Sequence, residues 1–313
     1  MNKKLLSVLL VLALALPACA ADWPAKSIRM IVPFAAGGGT DLVARALASS
    51  AEKILGQPIA IINKTGGSGA VGMAEGAGSK ADGYTLTMVT RELVSLPQLG
   101  TSPVGPDNFK LVCLINEDPA IVLVTPDSKY ATVKDIIDAA KAAPGALKFA
   151  STAQPNFYLL GLGILTDTTY NQIPYNGAAE AIPALMGKHV EFSMTGPAEA
   201  ISQLKSGQLK GLGIAAEERM EAFPDIPTLK EQGIPLITGT WRGIGVPPKT
   251  PQSVVDTLAS AFEKAAKDPD FVKFMNDKTF GIHYMNSDEF TAFTKRDWDA
   301  LGGVVKAIKA QQK

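Results

Sequence analysis

A run of three glycines between a short apolar strand and a helix start constrains this chain more than any other feature. Ile28–Val32 is an apolar run of strand length, and Gly37–Gly39 then let the backbone turn sharply because no Cβ atoms clash. Thr40 and Asp41 are residue types that begin helices. Backbone N–H groups at a helix start attract an anion such as a carboxylate or a phosphate. The alternative interpretation is a simple tight connection between a strand and a helix.

The N-terminal segment has the pattern of a secretory signal peptide. Two lysines precede the apolar run Leu5–Leu16, and small residues flank Cys19. This run is too short to span a bilayer. We therefore predict that residues 1–20 are a cleaved signal peptide and that the mature protein is periplasmic. Lipidation of Cys19 is the alternative, and Pro17 fits that pattern poorly.

Composition limits the classes of function. The full chain has 30 Lys and Arg residues against 30 Asp and Glu residues, so no basic surface for nucleic acid or for a membrane is indicated. After the signal peptide, no apolar segment of the sequence reaches spanning length. Loss of Cys19 leaves Cys113 without a partner for an intramolecular disulfide. Stability must therefore come from a hydrophobic core, which a 46% hydrophobic content can supply.

Apolar runs of strand length alternate with helical patterns along the chain. Strands separated by helices predict crossover connections and a covered, largely parallel sheet, which makes the fold class α/β. Between Thr132 and Ala143, a capping box at Thr132 and Asp135 predicts a helix that Pro144-Gly145 ends. The predicted strands are Ile28–Val32, Ile59–Ile62, Tyr84–Val89, Leu111–Ile115, Ile121–Val124, Leu147–Ala150, Ile173–Tyr175, Val190–Met194 and Leu212–Ala215.

Two short segments suggest passages of the chain between two lobes. One follows the strand Ile121–Val124, and the other is Gly239–Gly243. If the chain crosses twice, residues 125–241 form the second lobe, and residues 21–124 together with 242–313 form a discontinuous first lobe. A long final helix, capped by Ser287 or Asn286, closes the first lobe.

Side chains suited to catalysis or to metal binding are sparse. The two histidines, His189 and His283, lie far apart in sequence and belong to no cluster at metal-ligand spacing. No serine occupies a nucleophile-elbow motif. Each histidine is most simply a surface residue. We therefore predict no metal, no cofactor and no catalytic residues.

A second glycine-rich loop matches the G-x-G-x-x-G pattern of dinucleotide-binding turns. Gly67–Gly72 follows the strand Ile59–Ile62, and Glu92 lies downstream. The entry segment Asn63–Gly66 is too long for the tight dinucleotide turn, and exported proteins rarely meet NAD. We interpret this loop as one whose backbone faces the same ligand as Gly37–Gly39.

Three further loops with small polar residues follow strands in the middle of the chain. They are Ala150–Gln154, Tyr175–Ala179 and Thr195–Pro197. In open α/β sheets, ligands bind beyond the carboxyl ends of the strands, where such loops converge. Each loop alone could be a simple connection, but the five loops together predict a ligand cleft.

Five segments connect the chain with a known family. They are VPFAAGGGTD at 32–41, INKTGGSGAVG at 62–72, ADGYTL at 81–86, PYNGAAEAIPALMGKHVE at 174–191 and FPDIPTLKEQG at 223–233. In order and spacing they resemble the solute-binding proteins of tripartite tricarboxylate transporters, the Bug family. The resemblance implies a type II-like periplasmic-binding-protein fold with a ligand cleft between two lobes joined by two crossover strands. It also implies a monomer that captures a small di- or tricarboxylate, or a related organic acid, and delivers it to a membrane permease.

The resemblance also implies which residues bind the ligand. In the family, backbone N–H groups, hydroxyls and bridging waters of the strand-end loops hold the carboxylates. The implied residues are Phe34, Ala35, Ala36, Gly37, Gly38, Gly39, Thr40, Gly67, Ser68, Thr90 and Arg91 in the first lobe, and Thr152, Ala153, Tyr175, Gly177 and Thr195 in the second.

The chain departs from the family pattern at two places. Thr195-Gly196 stands where the second lobe of the family commonly carries an acidic residue in an Asp-Asn type pair, so an amine-bearing ligand loses its anchor and a purely anionic ligand is expected. Thr90 leads into Arg91-Glu92 instead of small hydroxyl residues. Arg91 could pair bidentately with a ligand carboxylate, or with an acid of the protein at the cleft rim.

Two other functions compete with solute delivery. A ligand-sensing partner of a membrane sensor kinase would use the same cleft. An exported enzyme on the same scaffold would need an acid/base or nucleophile arrangement, which the sequence lacks.

Overall fold

The computed structural model describes residues 23–311, so the predicted signal peptide at 1–20 and Cys19 lie outside the described residues. Two β-sheets with flanking helices form two lobes. The first lobe begins with β1 (Ile28–Val32), α1 (Gly39–Leu55), β2 (Ile59–Asn63), α2 (Ala70–Ala77), β3 (Thr85–Thr90), α3 (Glu92–Gln98) and β4 (Lys110–Pro119). The second lobe contains β5 (Ile121–Val124), α4 (Val133–Ala142), β6 (Lys148–Ser151), α5 (Phe157–Thr166), β7 (Asn171–Pro174), α6 (Ala178–Met186), β8 (Phe192–Thr195), α7 (Ile201–Lys205) and β9 (Lys210–Ile214). The chain then returns to the first lobe through β10 (Gly239–Val246), α8 (Gln252–Ala266), α9 (Pro269–Asp277), β11 (Ile282–Met285) and α10 (Ser287–Gln311).

Both sheets are mixed, which differs from the largely parallel sheet that the sequence predicts. The six-stranded sheet has the order β11-β4-β10-β3-β1-β2, and the five-stranded sheet has the order β7-β6-β8-β5-β9. The crossover units are parallel, as in β1 with β2 and β3 and in β6 with β7 and β8. The strands that enter a lobe from the other one, β5 and β10, run antiparallel to both of their neighbours. Arrival from the opposite lobe reverses the direction of these strands.

Helix periodicity explains how the first lobe packs. Val43, Leu47 and Ala51 recur at i, i+4 and i+8 along α1 and are fully buried against the six-stranded sheet. Leu258 and Phe262 on α8 belong to the same core. The second lobe has separate cores on the two faces of its own sheet. Each lobe therefore has its own hydrophobic core.

Two predicted helix starts are confirmed. Thr132 Oγ1 accepts a hydrogen bond from the Asp135 N–H (3.2 Å), and the Asp135 carboxylate accepts one from the Thr132 N–H (2.8 Å), which completes the capping box of α4. At α10, Asn286 Oδ1 accepts hydrogen bonds from the N–H groups of Asp288 and Glu289 (3.0 and 3.1 Å). Asn286 is therefore the cap of the last helix.

The two passages between the lobes lie side by side. Ala120 alone separates β4 from β5, and its N–H donates to the carbonyl oxygen of Thr238 just before β10 (2.9 Å). The passages thus fall at 119–121 and at 238–239, whereas the sequence suggests 124–125 and 241–242. The strand Ile121–Val124 pairs with β8 and β9, so it belongs to the second lobe. The sequence misplaces the passage because no turn residues separate β4 from β5.

Candidate ligand-binding cleft

A cavity of about 40 Å³ lies between the lobes, beyond the ends of β1, β6 and β8. Seven of the predicted site residues line it: Phe34, Gly38, Gly39, Thr40, Thr152, Gly177 and Thr195. Six lining residues that sequence reasoning missed are Glu92, Tyr158, Ala178, Glu199, Thr240 and Arg242. The cavity has room for roughly three water molecules. An organic acid is larger than this space.

The N-terminus of α1 opens into this cavity. Gly38 precedes the helix in an extended conformation, and among the described residues no side chain caps the helix there. Because the first N–H groups of a helix have no partner within it, those of Gly39 and Thr40 are available to an acceptor in the cavity. The N–H of Gly37 is not available, since it donates to Asp41 Oδ2 (2.9 Å). The positive φ of the turn, +80°, is at Gly37.

The Asp41 side chain stabilises the glycine turn at the start of α1 through hydrogen bonds. Burial opposes ionisation of its carboxyl group, but hydrogen bonds from Arg45, from the Gly37 N–H and from Asn63 outweigh burial and hold the pKa of Asp41 below its usual value. Arg45 Nε lies 2.9 Å from Asp41 Oδ2. This arrangement fixes the glycine turn and leaves the following N–H groups free.

Arg242 is the central cation of the cleft and is only 1% exposed. Its Nη1 donates to Asp118 Oδ2 (2.7 Å) and to Asn116 Oδ1, its Nε donates to Thr40 Oγ1 (3.2 Å), and its Nη2 donates to Glu199 Oε1 (3.0 Å). A guanidinium group has five N–H donors, so these bonds leave one on Nη2. The only sequence signal for Arg242 is its place beside the second passage.

The carboxylate of Glu199, in the second lobe, contacts residues of the first lobe. It lies in the short 3₁₀ turn Pro197–Ala200 after β8, where its Oε2 accepts from the Gly196 N–H (3.0 Å) and its Oε1 accepts from Arg242. A Cβ atom added to Gly39 would come within 2.3 Å of Glu199 Oε1. The lobes therefore meet at the start of α1 through a carboxylate. Burial raises the pKa of Glu199, and the charge of Arg242 opposes that rise.

Glu92 and Tyr158 form another polar wall of the cavity. Glu92, the first residue of α3, accepts a hydrogen bond from Thr90 Oγ1 (2.5 Å). Burial raises the pKa of the Glu92 carboxyl, although Arg242 opposes the rise. Burial, together with the charges of Glu92 and Glu199, also raises the pKa of the Tyr158 hydroxyl. The cavity is consequently lined by two glutamates and one arginine.

Arg91 pairs with an acid of the protein, which was one of the two interpretations of the sequence. Its Nη2 lies 2.9 Å from Asp297 Oδ1, its Nε donates to Asp297 Oδ2 (3.2 Å), and its Nη1 donates to Thr238 Oγ1 (2.7 Å) and to the Gly239 carbonyl (2.8 Å). Arg91 does not line the main cavity. With Ala153 it lines a smaller cavity on the other side of Glu92.

The other predicted site residues surround the main cavity without lining it. At the rim, Ser68 Oγ accepts from the Gln154 N–H (2.6 Å), and the Ala35 N–H donates to the Asn176 carbonyl (3.1 Å), so both loops join the two lobes. Thr90 is buried beneath Glu92. Outside the lining are Ala35, Ala36, Gly37, Gly67, Ser68, Thr90, Arg91, Ala153 and Tyr175.

Both histidines lie away from the cavity. His189 is exposed, and His283 Nδ1 lies 2.9 Å from Glu117 Oε2 on the surface. Within residues 23–311, no three His, Cys, Asp or Glu side chains are grouped to hold a metal ion. None of the helices described has the length and apolar character needed to cross a bilayer.

Comparison with known proteins identifies the family. The family model described as "Tripartite tricarboxylate transporter family receptor" matches residues 43–310. The chain belongs to this family. A Cupriavidus necator protein described as "UPF0065 protein in gbd 5'region" is 34% identical over 287 residues, which cover 89% of this chain and 87% of the relative. The family and the two-lobed fold predicted from the sequence are thereby confirmed.

Solved structures agree with this family assignment. One described as a periplasmic transporter is 31% identical, with a TM-score of 0.85 over 91% of this chain and 97% of the other. MatC from Rhodopseudomonas palustris with bound malate is 26% identical, with a TM-score of 0.84. The match covers 90% of this chain and 100% of MatC. The protein is therefore a solute-binding protein of the tripartite tricarboxylate transporter receptor family.

Proposed function

We infer that this receptor-family protein captures a small organic carboxylate between its lobes and delivers it to the membrane permease of a tripartite tricarboxylate-type transporter. The observation that carries this proposal is the uncapped N-terminus of α1, which opens into the interlobe cavity at Gly39 and Thr40. Helix N-termini bind anions through free N–H groups and the positive end of the helix dipole. The first-lobe site therefore has the chemistry of a carboxylate receptor.

Three threonine hydroxyls lie around the same cavity, and that of Thr195 donates to the Gly196 carbonyl (3.2 Å) in the structure. Thr40 comes from the first lobe, and Thr152 and Thr195 come from the second. A ligand touching all three gains its full set of partners only when the lobes meet around it, which couples binding to closure. The malate bound to MatC supports a small dicarboxylate as the type of ligand.

The pattern of residues 1–20 supports export as part of this function. A basic start, a short apolar run and small residues before the cleavage site would direct the chain across the inner membrane. The binding protein would then meet its ligand in the periplasm and carry it to the permease.

A thermal-shift screen of mono-, di- and tricarboxylates, followed by calorimetry, tests the carboxylate proposal. A ligand at one hundred times its Kd should stabilise the protein by about 2.7 kcal/mol. For the acid with the largest shift, the corresponding amide or methyl ester is the matched control. We expect the acid to bind and the neutral derivative to bind much more weakly. Equal affinities for the two, or no response to any acid, would contradict the proposal.

A further inference from the structure

The charges that line the cavity do not balance. Arg242 carries the only positive charge among the lining residues, and Asp118 already pairs with it at 2.7 Å. Glu199 shares the same guanidinium group at 3.0 Å, and Glu92 adds another carboxylate. With all four groups ionised, this cluster is negative. A ligand with only carboxylates would add more negative charge beside these glutamates, which is unfavourable where burial weakens solvent screening.

Glu92 lacks a cationic partner among the side chains that the structure describes. Thr90 Oγ1 is its hydrogen-bond donor, at 2.5 Å. Its neighbour Arg91 is directed away, because Asp297 and the Thr238–Gly239 segment occupy that guanidinium group. Glu92 is only partly exposed to solvent. A carboxylate that is partly withdrawn from water without a cation is costly, so such groups usually protonate or acquire a positive partner.

We propose that the ligand carries a cationic nitrogen in addition to its carboxylate, and that Glu92 binds this nitrogen while the N-terminus of α1 binds the carboxylate. This proposal rests on the proposed function, since it assigns the second half of the same ligand. Tyr158 also lines the cavity, and its hydroxyl is a neutral group that can accept a hydrogen bond from such a nitrogen. The ligand class is therefore an amino acid or a similar zwitterion.

This inference reverses one expectation from the sequence. Thr195-Gly196 provides no acidic side chain at the end of β8, which favours a purely anionic ligand. In the structure an acidic side chain reaches the cavity from the opposite lobe, at Glu92. The anchor for an amine is thus moved from the second lobe to the first.

Calorimetry with acids that differ only in an amino group tests the proposal. The pairs are succinate with aspartate, glutarate with glutamate, and adipate with 2-aminoadipate, each measured on wild-type protein and on Glu92→Gln. We expect at least one amino acid to bind wild type about tenfold or more tightly than its partner, the effect of a 1.4 kcal/mol interaction. In Glu92→Gln this preference should fall to about threefold or less, and affinity for the simple diacid should hold or rise. Glu218→Gln, at an exposed position, is the matched control and should behave as wild type.

The outcomes separate this proposal from the proposed function. If wild type binds the simple diacids as tightly as the amino acids, or more tightly, the cationic subsite is overturned and the carboxylate receptor stands. A preference for the amino acid that persists in Glu92→Gln overturns the role of Glu92. Binding of no member of any pair overturns the cationic subsite alone when the thermal-shift screen finds another acid that binds, and overturns both proposals when that screen finds none. The wild-type comparison decides the ligand class even if the variant is poorly folded, which circular dichroism would reveal.

Discussion

Glu199 of the second lobe and Arg242 of the first form an ion pair across the cleft, with Oε1 and Nη2 3.0 Å apart. The Glu199 carboxylate also abuts Gly39 at the start of α1, where a ligand carboxylate is proposed to bind. The protein therefore holds its lobes together with a carboxylate of its own, which is the same chemical group that the proposed ligand carries. This relationship predicts that closure depends in part on Glu199 itself.

Replacing Glu199 with glutamine should shift the ligand-free protein toward an open form. The variant keeps a hydrogen-bond acceptor but loses the charge, and a loss of about 1–2 kcal/mol changes the open-to-closed ratio by about 5- to 30-fold. Small-angle scattering should give a larger radius of gyration for Glu199→Gln than for wild type. Glu218→Gln serves as the control. Identical radii for all three proteins would show that the ion pair does not contribute to closure.

Replacing Gly39 with alanine should block closure and weaken ligand binding by about tenfold or more, the effect of 1.4 kcal/mol. The added Cβ would lie 2.3 Å from Glu199 Oε1 and 2.8 Å from Arg242 Nη2, and Asp118 holds that arginine in place. The fold should persist, because alanine favours a helix more than glycine does. Calorimetry and thermal melting measure the two effects. Gly303→Ala, where the new Cβ would meet no atom within 4 Å, should leave affinity unchanged.

Replacing Arg91 with methionine should lower stability rather than affinity. Arg91 makes hydrogen bonds to Asp297, Thr238 and Gly239. Its loss removes the cation that offsets the cost of partly burying the Asp297 carboxylate. The expected loss is about 2–3 kcal/mol of unfolding free energy. Because Arg91 does not line the main cavity, the Kd should change by about twofold or less. Denaturant unfolding and calorimetry check both values. A large rise in Kd at unchanged stability would instead make Arg91 a ligand contact.

The stability difference between wild type and Glu92→Gln should depend on pH. Burial raises the pKa of Glu92 from the unfolded value of about 4.5. The hydrogen bond from Thr90 and the charges of Arg242 and Arg91 oppose this rise only in part. Glu199, whose pKa is also raised by burial, lines the same cavity in both proteins. Folding therefore favours the protonated form of Glu92 more than the unfolded state does, so the Glu92 contribution to stability is present below pH 4.5 and is lost as pH rises through the raised pKa. The melting temperature of Glu92→Gln should therefore exceed that of wild type increasingly above pH 4.5. A difference that does not vary with pH would exclude this burial effect.

Local sequence patterns predicted most of the strands and the glycine loops, because their causes lie within a few residues, but they did not predict β11. The capping box of α4 is one example, since Thr132 and Asp135 stabilise each other across one helical turn. The role of each glycine was less predictable. Gly37 has the positive φ, whereas Gly39 makes the close approach to the other lobe. Close approach between lobes has no signature in the loop itself.

The charged wall of the cleft could not be predicted because its members are distant in sequence. Asp118, Glu199 and Arg242 come from β4, from the turn after β8 and from β10, and each resembles an ordinary surface charge when it is considered alone. Their mutual burial appears only when the sheets assemble. The same holds for Arg91, whose partner Asp297 is 206 positions away.

The hydrogen bond between the Ala120 N–H and the Thr238 carbonyl has a mechanical consequence. Two neighbouring, bonded passages should resist twisting and sliding of one lobe against the other, so we expect opening to be a rotation about a single axis beside them. Along such an axis, each degree of closure corresponds to one arrangement of the outer surfaces. A permease of the kind proposed above that touches both lobes would then distinguish a filled receptor from an empty one by shape, without contact with the solute.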